Sequence, residues 1–156
     1  MSADLLKQSV LFKDFTPTGL AILGKIAKAR VVLAGQTLFT EGGEGDGLIL
    51  VVAGRFRIVT RGTDGKDVPI GALGPGEHMG EVSLISGDKR PKHMCSALAE
   101  ADSKVVEIKT ADFQKTMKDK PQACIKLMLA IAQDFGGKVS DSRDTMKHLL
   151  TRAAGR

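Results

Sequence analysis

The stretch of sequence that decides the fold is LGPGEHMGEVSLI, residues 73–85. A glycine-proline turn at 74–76 leads into Gly80-Glu81 and then into a short apolar run. A helical turn that begins at glycine offers free backbone N–H groups to an anion, and a carboxylate accepts hydrogen bonds from sugar hydroxyls. A cluster of basic residues, which includes Arg90 and His93, follows a few residues later. The pattern fits two structures: a site for a ribose phosphate, or a solvated loop whose cations only keep it soluble.

A second glycine-rich stretch precedes it, FTEGGEGDGLILVVAG at residues 39–54. Four glycines between residues 42 and 47 permit a sharp reversal of the backbone, and 48–53 then form an apolar strand. Glu44 and Asp46 lack the alternating oxygen ligands of a calcium loop. We therefore expect a tight connection between strands here, and no metal site.

The composition around these stretches is that of one globular domain. The chain has 156 residues, 42% of them hydrophobic and 26% charged, with 18 glycines against six aromatic residues, all phenylalanine. This balance favours a turn-rich β domain with an aliphatic core. The net charge of +5 is spread along the chain without interleaved aromatic residues, so general basicity explains it better than nucleic-acid binding.

The sequence also bears on compartment and redox state. The longest apolar run, residues 48–53, is far shorter than the roughly 20 residues that cross a bilayer, and the N-terminus lacks a basic signal-peptide start. We expect a cytoplasmic protein without a membrane span. The two cysteines, Cys95 and Cys124, show no metal-type spacing and are expected to be reduced, buried thiols.

The chain divides into three parts, beginning with a helical part at residues 1–30. Thr16-Pro17 marks a helix start, and Leu20, Leu23 and Ala27 then share one face. Residues 31–109 change to short strands between turns. Residues 55–61 alternate, with Phe56, Ile58 and Thr60 on one face and three arginines on the other, and Asp64-Gly65 predicts a hairpin turn.

The third part, residues 110–137, returns to helix. Thr110 is expected to cap a short helix, and Pro121 is expected to open a longer one. That longer helix carries one apolar stripe, formed by Cys124, Leu127, Met128, Ile131 and Phe135. Gly136-Gly137 is expected to end or kink it, which leaves residues 138–156 as a basic tail or a helical extension.

The stretches at 39–54 and 73–85, in this order, resemble the cyclic-nucleotide-binding domain family. The resemblance covers about residues 8–135. It implies a mainly β fold: an eight-stranded β-roll with N-terminal helices, a phosphate-binding cassette between two strands, and a C-terminal helix that moves over the ligand. It also implies cAMP, cGMP or a related anionic ligand, and no other cofactor.

The resemblance assigns site residues by position. The Gly-Glu pair that holds the ribose in the family matches Gly80 and Glu81, with the glutamate on the 2′-hydroxyl. The predicted ligand contacts are Gly80, Glu81, Val82, Ser83, Arg90, His93 and Ser96. Candidates for covering the base are Met128, Ile131 and Phe135, a helical stripe that is also typical of plain core.

The chain departs from the family after the cassette, where an arginine followed by a small residue and an alanine is expected. Counting forward from Gly80 reaches Arg90, but Pro91 follows it and has no N–H for a phosphate. Counting back from the next strand reaches His93 instead, and a histidine is a weaker, pH-dependent partner without a guanidinium fork. Both residues stay candidates for the phosphate contact.

Two functions fit the sequence. One is a regulatory sensor that binds a cyclic nucleotide and signals to a separate partner protein, because only residues 138–156 follow the helix and a DNA-binding domain is not expected there. The other is a degenerate scaffold that uses the last helix for homodimerisation or protein interaction. An enzyme is not expected, because His78, His93 and His148 are isolated and no catalytic arrangement is visible.

Overall fold

The computed structural model describes residues 2–86 and 89–154 of the chain. Helix α1 (Ser2–Leu6) and a 3-10 turn (Val10–Phe12) precede helix α2 (Pro17–Gly24). Helix α2 begins where the sequence predicts, because the Thr16 hydroxyl accepts a hydrogen bond from the Gly19 N–H at 3.1 Å. The later helices are α3 (Val82–Ile85), α4 (Thr110–Asp119) and α5 (Pro121–Ala154).

The described residues form eight strands in two antiparallel sheets. The strands are β1 (Ala27–Val32), β2 (Thr37–Phe39), β3 (Gly47–Ala53), β4 (Phe56–Arg61), β5 (Asp67–Leu73), β6 (His78–Met79), β7 (Ser96–Ala99) and β8 (Ser103–Lys109). One sheet has the order β1-β8-β3-β6 and the other β2-β7-β4-β5. The predicted mainly β roll with flanking helices is confirmed.

Strand β3 separates two hydrophobic clusters. Its residues Leu48 and Leu50 face the helices, and Val51 faces the space between the two sheets. Side chains of a strand alternate between its faces, so one apolar strand serves both clusters. The helical side includes Leu127 and Ile131 of α5, both 0% exposed. Full burial of each such side chain contributes about 1.5–3 kcal/mol.

Strand β1 begins earlier than the sequence indicated. Ala27, predicted on the helix face, is the first residue of β1 and pairs with Ile108 of β8. The roll therefore starts at residue 27 and not at residue 31. Pairing with β8 along six residues outweighs the weak helical periodicity of a short apolar segment.

Helix α5 does not end at Gly136-Gly137 as predicted, and of the two alternatives for the residues after it the structure shows the helical extension. It runs without interruption through Gly136-Gly137 to Ala154, so residues 138–154 extend the helix and are no separate tail. Two interior glycines each cost about 1 kcal/mol of helix propensity, but glycine does not block the helical hydrogen bonds as proline does. Phe135 is 47% exposed and does not belong to the core stripe.

Of two further local predictions, a hairpin turn is confirmed and a helix cap is wrong. The Asp64-Gly65 turn is confirmed, with φ of +78° at Gly65 and a hydrogen bond from the Gly62 N–H to the Lys66 carbonyl. Thr110 is the first residue of α4 and not its cap, because Lys109 occupies the cap position. Residues 87–88 of the predicted cassette and 155–156 of the predicted tail lie outside the described residues.

Both cysteines are buried free thiols, as predicted. Burial raises the pKa of Cys124, and burial together with the nearby Glu41 carboxylate raises the pKa of Cys95. Both thiols therefore stay protonated at neutral pH and pack as small apolar groups.

Candidate functional site

Gly80 brings the cassette into contact with strand β3. Its φ of +79° is disfavoured for residues with a side chain. A Cβ atom at this position would lie 2.2 Å from the carbonyl oxygen of Gly47. Glycine is therefore required here for both reasons, and the chain passes directly from β6 into the turn that carries Glu81 and helix α3.

Helix α3 is a single turn with a buried and an exposed side. Ser83 and Leu84 are buried, whereas Val82 is 38% and Ile85 41% exposed. The N–H groups of Ser83 and Leu84 donate to the carbonyls of Gly80 and Glu81, each at 3.0 Å. These two amides already donate hydrogen bonds within the turn, so they are not free to bind an anion at the cassette.

Two further contacts anchor the cassette. The Thr110 hydroxyl donates to the Ser83 carbonyl at 3.2 Å, and the Thr110 N–H donates to the Asp46 carbonyl at 2.9 Å. The Ser83 hydroxyl lies so close to Gly45 that a Cβ atom there would stand 2.5 Å from Ser83 Oγ. The glycine-rich connection, the cassette and the start of α4 therefore form one packed unit.

Arg90 lies beside two carboxylates. Its Nη1 atom is 4.0 Å from Glu44 Oε2 and 3.8 Å from Asp46 Oδ1, and the side chain is 60% exposed. Asp46 also lies 3.6 Å from the Lys109 ammonium. Exposed ion pairs of this kind contribute about 0–1 kcal/mol each, so a stronger anion can take the place of these carboxylates.

His93, the other candidate for the phosphate contact, is held against the glycine-rich connection. The backbone N–H of His93 donates to the Gly43 carbonyl, and its backbone carbonyl accepts from the Gly42 N–H, both at 2.8 Å. The imidazole stacks on Phe39 with ring centroids 4.3 Å apart and an interplanar angle of 20°. Burial lowers the pKa of His93, which favours the neutral ring at pH 7. A neutral imidazole offers an anion a hydrogen bond but no charge.

Ser96, at the start of β7, has a structural partner. Its hydroxyl accepts a hydrogen bond from the Glu41 N–H at 2.8 Å. The Glu41 carboxylate in turn accepts from the Arg61 N–H at 2.8 Å. Ser96 therefore fixes the start of the glycine-rich connection relative to strands β4 and β7.

A cavity of about 390 Å³ opens at the end of the roll near these residues. The stacked Phe39 and His93 line it, together with the Arg30–Glu107 ion pair, whose closest N–O distance is 2.6 Å. Among the predicted contacts, His93 is the one that lines this cavity. The remaining six lie outside its lining: Gly80, Glu81, Val82, Ser83, Arg90 and Ser96.

The residues predicted to cover the base do not line this cavity either. Ile131 is fully buried among the helices, and Met128 packs against the same cluster. Phe135 lies further along α5 with almost half of its surface exposed. One face of the first half of α5 is thus core, and the prediction that this stripe faces the ligand is not supported for Ile131, because its side chain is enclosed by other apolar groups.

Sequence reasoning missed three charged residues that line the cavity. Arg30, Glu107 and Lys109 line the cavity from β1 and β8. On β8, side-chain alternation puts Val105, Glu107 and Lys109 on one face, so charged residues follow an apolar one along that face. The alternation of Val106 and Ile108 with the charged Glu107 and Lys109 was the available signal.

The described residues also bear on metal binding and on membrane crossing. In residues 2–86 and 89–154, no three His, Cys, Asp or Glu side chains are grouped closely enough to hold a metal ion. Across the same described residues, no helix combines the length and the apolar character that a membrane crossing requires.

Two antiparallel sheets, with a glycine-initiated turn of helix between β6 and β7, define a β-roll. The chain belongs to the cyclic nucleotide-binding domain family, whose sequence profile matches residues 29–120, more than half of its length.

Solved structures agree with this assignment. The N-terminal domain of a transcriptional regulator from Streptomyces coelicolor A3(2) is 25% identical with a TM-score of 0.75, covering 86% of this chain and 94% of that one. A cyclic nucleotide-binding-like protein from Brucella abortus is 30% identical with a TM-score of 0.63, covering 75% and 97% of the two chains.

Relatives of known name are longer proteins. A CRP-like cAMP-activated global transcriptional regulator of Mycobacterium tuberculosis is 25% identical over 130 residues, which are 83% of this chain and 57% of the regulator. A lysophospholipase, nte1, of Aspergillus oryzae is 33% identical over 102 residues, which are 65% of this chain and 6% of that protein. The chain therefore spans little more than half of the regulator and a small part of the lysophospholipase.

Proposed function

We propose that this chain is a regulatory sensor that binds cAMP, cGMP or a related small anionic ligand at the cassette and reports to a separate partner protein. The observation that carries the proposal is the Gly80-Glu81 turn, which lies inside the part of the chain that matches the family profile. A half-buried carboxylate at Glu81 is suited to accept hydrogen bonds from ribose hydroxyls.

Arg90 supplies the positive charge for the phosphate in this proposal. It is exposed, and the carboxylates of Glu44 and Asp46 beside it are exposed as well, so its side chain can turn towards an anion. A guanidinium binds a phosphate through two parallel N–H donors, which the neutral ring of His93 cannot reproduce. We therefore assign the charge contact to Arg90 and a hydrogen-bonding contact to His93.

A second function, homodimerisation or docking through α5, is favoured by one specific observation. Apolar and small residues recur on the exposed part of the helix at alternating intervals of three and four: Ala132, Phe135, Val139, Ser142, Met146 and Leu149. This is the spacing of a coiled-coil seam, and a second copy of the helix is the partner that matches it. Dimerisation is compatible with ligand sensing. In the scaffold alternative the chain dimerises but does not bind a ligand.

The short extent of the match to the lysophospholipase also agrees with a regulatory role for this chain. The alignment with this chain takes in 6% of that protein, which leaves the rest of the enzyme outside the similarity. We propose no catalytic activity for this chain.

Calorimetric titration with cAMP and with cGMP tests the sensor. We expect the wild type to bind one of them, and Glu81→Gln to raise the Kd by at least about tenfold, because hydrogen bonds to a charged group contribute about 1.5–3 kcal/mol. Glu100→Gln is the matched control, since Glu100 pairs with Arg55 at a distant turn. If neither nucleotide binds the wild type up to high micromolar concentration, the cyclic-nucleotide form of the sensor fails, and the scaffold alternative is favoured.

A further inference from the structure

Strand β6 carries two residues that face opposite sides of the sheet immediately before the cassette. Met79 packs against the cluster between the two sheets. His78 pairs with Leu50, whose side chain belongs to the helical cluster, and the imidazole faces helix α5. Because Gly80 and Glu81 come next, a displacement of the cassette moves both side chains.

His78 meets α5 at Asp134. The Nε2 atom lies 3.2 Å from Asp134 Oδ2, and the imidazole is 5% exposed. Among the described residues this nitrogen has no hydrogen bond of good geometry. A buried nitrogen that is close to a carboxylate but misaligned with it is sensitive to small shifts between strand and helix, because a small movement either completes the hydrogen bond or breaks the contact.

Asp134 marks the point where α5 leaves the body of the protein. It is partly buried, and every residue of α5 beyond it, from Phe135 to Ala154, is exposed. The same carboxylate oxygen forms an ion pair with the Lys138 ammonium, with an N–O distance of 3.0 Å. That ion pair spans Gly136-Gly137, the part of the helix with the lowest intrinsic helix propensity.

We infer that His78 is a positioning residue that couples the cassette to the exposed half of α5 through Asp134. The route is β6, the His78 imidazole, the Asp134 carboxylate and then Lys138. The ligand-dependent part of this inference rests on the proposed function, whereas the link between strand and helix exists without a ligand.

Hydrogen exchange measured by mass spectrometry tests the link in the ligand-free full chain. Asp134→Asn keeps the shape of the side chain and removes its charge. We expect exchange at residues 79–86 to become at least ~3-fold faster in this variant, because local opening of β6 loses its restraint. The matched control is Asp144→Asn, which lies on the exposed half of the same helix and is expected to exchange like the wild type.

A double-mutant cycle separates coupling from general destabilisation. If His78 and Asp134 act as one unit, His78→Gln and Asp134→Asn together accelerate exchange at residues 79–86 no more than either change alone. Additive acceleration overturns the inference, and so does wild-type exchange at 79–86 in Asp134→Asn.

Addition of cAMP distinguishes the inference from the proposed function. In the wild type we expect slower exchange at residues 79–86 and also at 132–140, and Asp134→Asn is expected to keep the first change and lose the second. Retention of both changes in Asp134→Asn overturns the inference. If the wild type responds to neither cAMP nor cGMP, the cyclic-nucleotide form of the proposed function fails, and the ligand-free comparison alone decides the link.

Discussion

The imidazole of His93 stacks on the ring of Phe39, with 4.3 Å between ring centroids. The stack places a titratable group in the wall of the cavity at the end of the roll, and burial lowers its pKa. The unfolded chain therefore binds more protons than the folded chain between the ordinary pKa of about 6.5 and the lowered folded value. In this window the stability rises with pH.

The first prediction follows from that sign. The stability contributed by neutral His93 is fully present above about pH 6.5 and is lost as the pH falls through the lowered pKa. His93→Phe keeps the aromatic contact and removes the titration, so its stability is expected to fall less than that of the wild type upon acidification. Urea denaturation at neutral and mildly acidic pH measures this, with His148→Gln on the exposed helix as the control. Equal pH dependence in His93→Phe and the wild type would contradict the prediction.

The second prediction separates backbone strain from close contact at the cassette. Gly80→Ala combines a φ of +79° with a Cβ atom 2.2 Å from the Gly47 carbonyl. Gly65→Ala shares a similar φ of +78° but meets no atom within 4 Å. We expect a loss of about 1 kcal/mol for Gly65→Ala and of more than about 2 kcal/mol for Gly80→Ala in the free energy of unfolding. If urea denaturation gave similar losses for the two variants, the Gly47 carbonyl would be able to move away from the added Cβ atom at little cost.

The third prediction concerns the carboxylates beside Arg90. Glu44→Gln combined with Asp46→Asn removes two charges that compete with an anionic ligand. We expect the Kd for the bound cyclic nucleotide to fall by about 3–10-fold, with a stability change of less than about 1 kcal/mol because the pairs are exposed. Titration calorimetry measures the affinity. Asp64→Asn, in the distant β4–β5 turn, is the control, and an unchanged Kd in the double variant would mean that Arg90 does not contact the ligand.

The fourth prediction concerns the exposed seam of α5. Met146→Glu with Leu149→Glu places charge in the seam, where it is expected to raise the dimer dissociation constant by at least about tenfold. Ser140→Glu lies on the same helix outside the seam and is expected to leave the dimer unchanged. Sedimentation equilibrium over a range of concentrations distinguishes these results. A wild type that stays monomeric at tens of micromolar would exclude dimerisation through this helix.

Local signals predicted much of the fold. Thr16-Pro17 and Pro121 place helix starts correctly because caps and proline act within one turn of the chain. The alternation at 55–61 and the Asp64-Gly65 turn likewise depend on adjacent residues. The resemblance carried by the two family stretches then implies the β-roll itself, which local patterns do not contain.

The start of β1 and the choice of phosphate contact depend on contacts that are distant in sequence. Ala27 joins a strand because β8, some 80 residues later, supplies its partner. For the site, counting forward from Gly80 reaches Arg90 and counting back from β7 reaches His93, so the sequence alone does not decide between them. Three-dimensional contacts place Arg90 near Asp46 and His93 near Phe39, and neither contact has a local signature.

The continuity of α5 has a mechanical consequence. Between Asp134 and Ala154 the helix is exposed along its whole length, a distance of roughly 30 Å at 1.5 Å per residue. A tilt of only about 5° at Asp134 would therefore carry the far end through between roughly 2 and 3 Å. A sub-ångström adjustment beside the cassette would become, at the opposite end of the rod, a displacement large enough for another molecule to detect.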